Sequence, residues 1–238
     1  MDTLGLLYGK TTATRGTKIH GLLMSNLRLY IGNYNYSSWS LRAWLVLRKT
    51  EMPFETAMVD LDVPGYKEKL REISEAGTVP ALDVNGEMIP DSLAISEFCA
   101  KAIPNLWPKD EAQKAEAKAV VTKMHEGFDV IRREAPMNLR RRTEGPMPQD
   151  CLDEAAEISD MWDDLLGRHN GPFLFDDWTI ADAFYTPVAT RFASYGLPRS
   201  VRSDTYISEL MADHHFLEWE SLAFSETHTL PETDAVNA

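Results

Sequence analysis

The 238 residues, 44% hydrophobic and 26% charged, are enough to bury the core of one large or two modest soluble domains. Asp and Glu number 37 against 24 Lys and Arg, and the resulting net charge of −13 disfavours nucleic acid and anionic membranes as partners. Cys99 and Cys151 form no paired-spacing motif, so neither a metal site nor a disulfide framework is indicated, and no apolar run is long enough to span a bilayer. A reducing cytoplasm is the expected setting.

Residues 1–23 differ in character from the rest of the chain. Thr11, Thr12, Thr14, Gly16 and Thr17 make a polar, breaker-rich tract without helical or strand period and without an apolar secretory core. A disordered extension or an over-called translation start, with Met24 as the true one, is the favoured reading. A weak organelle-targeting peptide carrying Lys10, Arg15 and Lys18 is the other.

From Leu27 the chain alternates, with Leu27, Leu29 and Ile31 set against Arg28 and Tyr30, which predicts a short strand. A polar loop comes next, then apolar residues at helical spacing from Ser37 to Leu47. Pro53 opens a second strand through Val59, and Gly65 to Ile73 reads as a short helix. Val79-Pro80 stands at the entry to a third strand, where a proline is tolerated and a cis bond is accessible. Asn85-Gly86 is a strong hairpin signal, because both residues accept the positive φ of a type I′ turn. Asp91-Ser92 then occupies a helix N-cap position ahead of Leu93, Ile95, Phe98 and Cys99. The order β-α-β-α-β-β-α predicts a thioredoxin-like domain over residues 24–103.

Two prolines in Ile103-Pro104-Asn105-Leu106-Trp107-Pro108 mark a linker over residues 104–109. The remainder, residues 110–226, is expected to be all-helical. One long helix is predicted from Asp110 to about Asn138, and another over Gln149 to His169. A Phe173-Leu174-Phe175 loop should pack on the bundle, and Thr179-Ile180-Ala181-Asp182 forms a capping box, a folding determinant. Arg140, Arg141 and Arg142 read as a solvated, salt-bridged helix end. Residues 227–238 are expected to be a frayed tail.

Ser37-Ser38-Trp39-Ser40-Leu41-Arg42 resembles the Ser-Ser-Cys-x-x-Arg segment of zeta-class glutathione transferases and maleylacetoacetate isomerases, with Trp39 in the cysteine's place. It is closer still to a bacterial glutathione transferase group with Ser-Ser-Trp-Ser-Leu-Arg. With Val79-Pro80, the hairpin and Asp91-Ser92, the pattern is similar to the cytosolic glutathione transferases over residues 27 to about 222. That resemblance implies glutathione as co-substrate, no metal, a small electrophile as second substrate, a role in detoxification and a homodimer.

The resemblance puts Ser37 at the family's catalytic position, with Ser38 beside it. A free thiol near pKa 8.5 is mostly protonated at neutral pH. A hydroxyl donating to the thiolate is worth about 1.5–3 kcal/mol, or roughly one to two pKa units. The alternative is that Ser37 or Ser38 simply caps the helix, serine being among the best N-caps. Val79, ahead of Pro80, would offer its backbone N–H and C=O to the cysteinyl part of glutathione. Asp91 suits the γ-glutamyl ammonium and Ser92 its carboxylate. Thr78 stands where relatives often carry Lys, a departure that puts one contact to the glycyl carboxylate in doubt.

The helical half is expected to supply the second substrate's pocket. Met124 and Phe128 would share a helix face at i, i+4, either as a pocket wall or as inter-domain core. His125 is a candidate general acid or a hydrogen-bonded structural histidine. Arg191 and Tyr195, also at i, i+4, are candidates for an anionic acceptor. Two functions stand: an enzyme activating glutathione for addition, isomerisation or reduction, and a binding module of the same fold without turnover.

Overall fold

The computed structural model of the protein describes residues 26–61, 63, 65–143 and 145–237; the expectations for residues 1–23 lie outside them. Strand β1, Leu27–Ile31, buries Leu27, Leu29 and Ile31 and turns Arg28 outward. Strand β2, Glu55–Met58, runs parallel to it, with Arg28 opposite Glu55. On the other side of β1 lies β3, Ala81–Val84, antiparallel, with Tyr30 opposite Ala81. Strand β4, Glu87–Pro90, returns from the Asn85-Gly86 turn, where φ is +55° and +93°, and sets Pro90 opposite Ala81. The sheet order is β2-β1-β3-β4. This register gathers the outgoing end of β1, the entry to β3 and the exit of β4 at one end of the sheet.

Helix α1, Ser38–Lys49, comes after β1 and is apolar nearly all round: Leu41, Ala43, Trp44, Leu45, Val46 and Leu47 are all buried. Such a helix needs a partner on every face. It packs on α3, Ser92–Ala102, and on a helix of the second half. Helix α2, Tyr66–Ile73, is the lighter crossover, with Leu70 its one buried residue. The predicted β-α-β-α-β-β-α order is therefore the observed one.

After a 3-10 turn at Pro104–Leu106 the chain is helical: α4 Glu111–Glu126, α5 Asp129–Glu134, α6 Gln149–Arg168, α7 Ile180–Tyr195, α8 Val201–Ala212, α9 His214–Ser225 and α10 Pro231–Asp234. Helix α7 is the axis of this half. All its residues but Ala193 are buried, and it packs on α1, α4 and α8.

Three expectations are corrected. The long helix from Asp110 breaks at Gly127, where an added Cβ would sit 3.0 Å from the Lys123 carbonyl. The Arg132 guanidinium takes up the freed carbonyls of Met124 and Gly127. Phe128, at φ +59°, therefore starts a new helix and does not lie on one helical face with Met124. Arg140 and Arg141 lie in a turn and the loop after it, not at a helix end, and bind the C-terminal segment: Arg140 donates to the carbonyls of Glu226 and His228, both at 2.6 Å, and Arg141 to that of Asp234 at 3.0 Å. The expected frayed tail instead carries α10, and Asp234 accepts hydrogen bonds from Tyr36 and Asn138.

The capping box is present and extended. Asp182, fully buried, accepts from the Thr179 amide at 2.8 Å, its hydroxyl at 3.0 Å, the Leu174 amide at 3.2 Å and the Tyr206 hydroxyl at 2.9 Å. One carboxylate thus ties α7, the preceding loop and α8 together. Burial outweighs these donors and pushes the carboxyl up to about 6. The native state then takes up a proton before the unfolded chain does as pH falls. The resulting stabilisation is complete below the ordinary carboxylate value and is lost as pH rises through about 6. Asp182→Asn leaves a donor unpaired and should cost about 1–3 kcal/mol. In urea unfolding at stepped pH, the wild type's advantage over this variant should widen as pH falls below about 6; a constant gap would refute the raised value.

Candidate active site

The site is built where the three chain ends meet. Gly32 comes after β1 under tight constraint: a Cβ there would lie 3.1 Å from both Leu61 Cδ1 and Ser37 Oγ. Ser37 occupies the N-cap of α1, yet its side chain makes no capping bond. It donates instead to Ser40 Oγ at 2.7 Å, which also accepts the Gly32 amide at 3.1 Å. Ser37 is half-buried and Ser38 is buried, and no partner meets the Ser38 hydroxyl among the described residues. The Ser38 amide donates to the Tyr36 carbonyl at 3.0 Å, the Trp39 and Ser40 amides have no side-chain cap among the described residues, and that end of the helix carries partial positive charge. Such a terminus suits an anion.

Beside it, the Val79-Pro80 bond is cis. The β3 ladder begins at Ala81, so the Val79 amide and carbonyl stay outside it. Thr78 is exposed next to it. Across the strand pair, Asp91 has φ +55° and ψ 163°, a conformation costing a non-glycine residue about 1–3 kcal/mol. Its Oδ1 accepts the Leu93 and Ala94 amides at 2.7 and 2.8 Å, so Asp91 is a true cap. Ser92 is fully buried and its hydroxyl has no partner among the described residues. A buried hydroxyl left unpaired at a helix N-terminus is costly.

Cations from both halves gather at the first turns of α1. The Arg42 guanidinium lies over the Trp39 ring at 4.4 Å and that of Arg132, from the helical half, at 4.7 Å, and Arg42 also lies 5.0 Å from the Phe184 ring. Arg42 is fully buried, and none of its three nitrogens has a hydrogen-bond partner among the described residues. Burial, then Arg132 and Arg191, hold its pKa well below the ordinary value. His125 meets Trp39 edge to face at 5.2 Å. Burial lowers its pKa, while the charge of Asp91 works the other way.

The remaining candidates are placed differently. Met124 is fully buried core between the halves, and Phe128 is buried at the start of α5. Arg191 and Tyr195 are enclosed within the helical half: Arg191 donates to the Pro187 carbonyl at 3.0 Å and Tyr195 to that of Pro136 at 2.9 Å. Burial brings the Arg191 guanidinium down to about 9. Neither lines a cleft that reaches Ser37 among the described residues.

Leu61 borders three adjoining clefts. The largest, about 810 Å³, lies between the start of α2 and residues His228 to Thr233. A second, about 340 Å³, brings Lys67 and Arg71 beside Thr78 and Val79. A third, about 130 Å³, reaches Asn33. Lys67 and Arg71 are cations that sequence reasoning missed, although both sit on the predicted second helix. No helix among the described residues is long and apolar enough to cross a membrane.

Comparison with known proteins agrees with this fold. Residues 36–102 match the glutathione S-transferase N-terminal domain family, and residues 114–214 the C-terminal domain family. A probable maleylacetoacetate isomerase of Caenorhabditis elegans is 32% identical over 179 residues, covering 71% of this chain and 82% of that one. A glutathione transferase homologue from Burkholderia, solved with bound glutathione, superposes with a TM-score of 0.67 at 20% identity over 84% of this chain and 100% of its own. Glutathione transferase E6 of Drosophila melanogaster gives 0.66 at 23% identity, over 83% of this chain and 92% of its own. With both domain families matched in order and the fold shared throughout, the chain belongs to the cytosolic glutathione transferase superfamily and is a glutathione transferase with zeta-like relatives.

Proposed function

We propose that the chain holds glutathione across Ser37, Val79 and Asp91-Ser92 and activates it as a thiolate for addition to, or isomerisation or reduction of, a small electrophile. The observation that carries this reading is the set of unmet polar groups at one end of the sheet: the uncapped amides of α1, the unpaired Ser92 hydroxyl and the free backbone of Val79. Val79 pairs with the cysteinyl backbone as an added strand would. Asp91 offers Oδ2 to the γ-glutamyl ammonium, and Ser92 with the first amides of α3 takes the carboxylate. Lys67 or Arg71 can meet the glycyl carboxylate in the cleft beside Thr78, the position where a family lysine is missing.

The sulfur then lies over the start of α1. Ser37 turns its hydroxyl from Ser40 and donates to the thiolate. The helix terminus and the Arg42 and Arg132 guanidinium groups over Trp39 add a positive field, favouring the ionised sulfur. His125, with Met124 and Phe128 behind it, stands on the acceptor's side. The isomerase name of the nematode relative and the glutathione in the Burkholderia structure support the reading. A second assignment of the thiolate donor has its own support: the Ser38 hydroxyl is the one without a partner. A cytoplasmic location and a two-fold dimer belong to the same proposal. Light scattering at micromolar concentration should show the dimer, and a monomer alone would count against it.

Ser37→Ala should raise the pKa of the bound thiol by roughly one to two units and lower turnover near neutral pH about tenfold or more. Activity should recover in part at alkaline pH, and glutathione affinity should change little. Ser38→Ala should have the smaller effect; the reverse order would assign the donor to Ser38. A protein that binds glutathione but turns over no electrophile would be the binding module instead.

Asp91 separates capping from recognition. Asp91→Asn keeps an oxygen for the Leu93 and Ala94 amides, so stability should stay within about 0.5 kcal/mol. Glutathione affinity by calorimetry should nevertheless drop roughly tenfold, because the ammonium loses a charged partner. Unchanged affinity would make Asp91 a cap alone.

A further inference from the structure

The loop that carries Ser37 is held largely from outside its own domain. Glu226, just beyond α9, accepts the Tyr34 amide on Oε1 at 2.7 Å and the Asn35 amide on Oε2 at 3.0 Å. The Trp219 indole donates to the Tyr34 carbonyl at 2.9 Å. The Arg140 amide reaches Asn35 Oδ1 at 3.0 Å, and the Leu139 amide reaches the Asn35 carbonyl at 3.3 Å. The Tyr36 hydroxyl donates to Asp234 at 2.9 Å and accepts from Arg140 at 3.1 Å and from the Leu230 amide at 3.2 Å. Inside the loop, Asn33 supplies the local bonds, accepting the Tyr36 and Ser37 amides at 3.2 Å each.

We propose that Glu226 is a positioning residue for thiolate formation, clamping the Tyr34 and Asn35 amides so that Ser37 and the first turn of α1 face the sulfur. The inference rests on the thiolate reading above. Both carboxylate oxygens are engaged by consecutive amides, a geometry that fixes the loop's orientation as well as its distance. A site held loosely by even an ångström loses much of its effect on a reacting group. The charged and titratable groups that share partners with Glu226 are Tyr34 in the loop, on which Glu218 of α9 also acts, Arg140, which binds the Glu226 carbonyl, and Asp234 on α10, which accepts from Tyr36.

Charge and position predict opposite signs. Acting through space, a carboxylate this close would disfavour the thiolate, so its removal would lower the thiol's pKa. Acting through the loop, its removal raises it. The test is the pH titration of thiolate absorbance with bound glutathione in the wild type, Glu226→Ala, Glu226→Gln and Ser37→Ala, with thermal unfolding alongside. Glu226→Ala should raise the thiol pKa and reduce kcat/KM at neutral pH by roughly threefold to tenfold, recovering at alkaline pH. Glutathione affinity should stay within about twofold, since Val79, Asp91 and Ser92 make no contact with Glu226. Glu226→Gln keeps one acceptor, should fall between, and carries the test if the alanine variant does not fold. An unchanged or lowered thiol pKa in either variant, with Ser37→Ala raising it, overturns the positioning role and leaves the serine reading intact. If the serine variants are silent and Glu226→Ala still raises the pKa, Glu226 acts through the helix amides and the serine reading fails. If all are silent, both fail.

Discussion

The pairing of Tyr30 with Ala81, and of Ala81 with Pro90, is the constraint on which the rest of the molecule depends. A strand slipped by one residue would turn Leu27, Leu29 and Ile31 to the wrong face, so burial locks the register. Once it is locked, three chain ends arrive together: Gly32 leading to α1, Val79-Pro80 leading into β3, and Asp91-Ser92 opening α3. Two helix N-termini and a free stretch of backbone then converge on one place. Each leaves amides or a hydroxyl without an internal partner among the described residues, which is the set of groups the glutathione proposal uses.

The electrostatics point the same way. Arg42 is an expensive group, a cation taken wholly out of water with no carboxylate beside it. Stacking on Trp39 and Phe184 offsets part of that cost, since aromatic faces attract a desolvated guanidinium by about 2 kcal/mol or more. Arg132, also over the Trp39 ring, adds a second guanidinium, offset in part by Asp129 and Glu154. A protein with a net charge of −13 thus concentrates cations around one indole. The cysteine thiols take no part in this. Burial pushes Cys99 up to about 12 and Cys151 up to about 11, far from reactive values.

The two halves cannot be separated functionally. Helix α1 belongs to the sheet domain by connection but is enclosed by α7, and Trp44 meets Trp219 of α9 edge to face at 5.4 Å. In the loop before α1, the Tyr34 and Asn35 amides take their acceptor from Glu226, beyond α9. Asp182, by contrast, secures α7 and α8 without touching the site; it is a stability element whose effect on the site passes through α7.

Much was legible in the residues themselves, because the physics there is local. Alternation at Leu27 to Ile31, the positive φ open to Asn85-Gly86, and the caps at Asp91 and Thr179 depend on neighbours a few positions away, and each lies where expected. The Ser37-Ser38, Val79-Pro80 and Asp91-Ser92 pieces were visible as short patterns for the same reason. What the tertiary structure alone decided involves partners far apart in sequence. Arg191 and Tyr195 have a spacing that suits a surface pair, but α7 is surrounded, so both are sealed inside. The helix from Asp110 breaks at Gly127, and Arg132 takes up the carbonyls of Gly127 and Met124 there, a contact that helical periodicity does not register. Residues 227–237 are polar and proline-containing, the composition of a loose end. They are ordered because Arg140, Arg141, Tyr36 and Asn138, about 90 to 200 positions away, supply the hydrogen bonds their own sequence lacks.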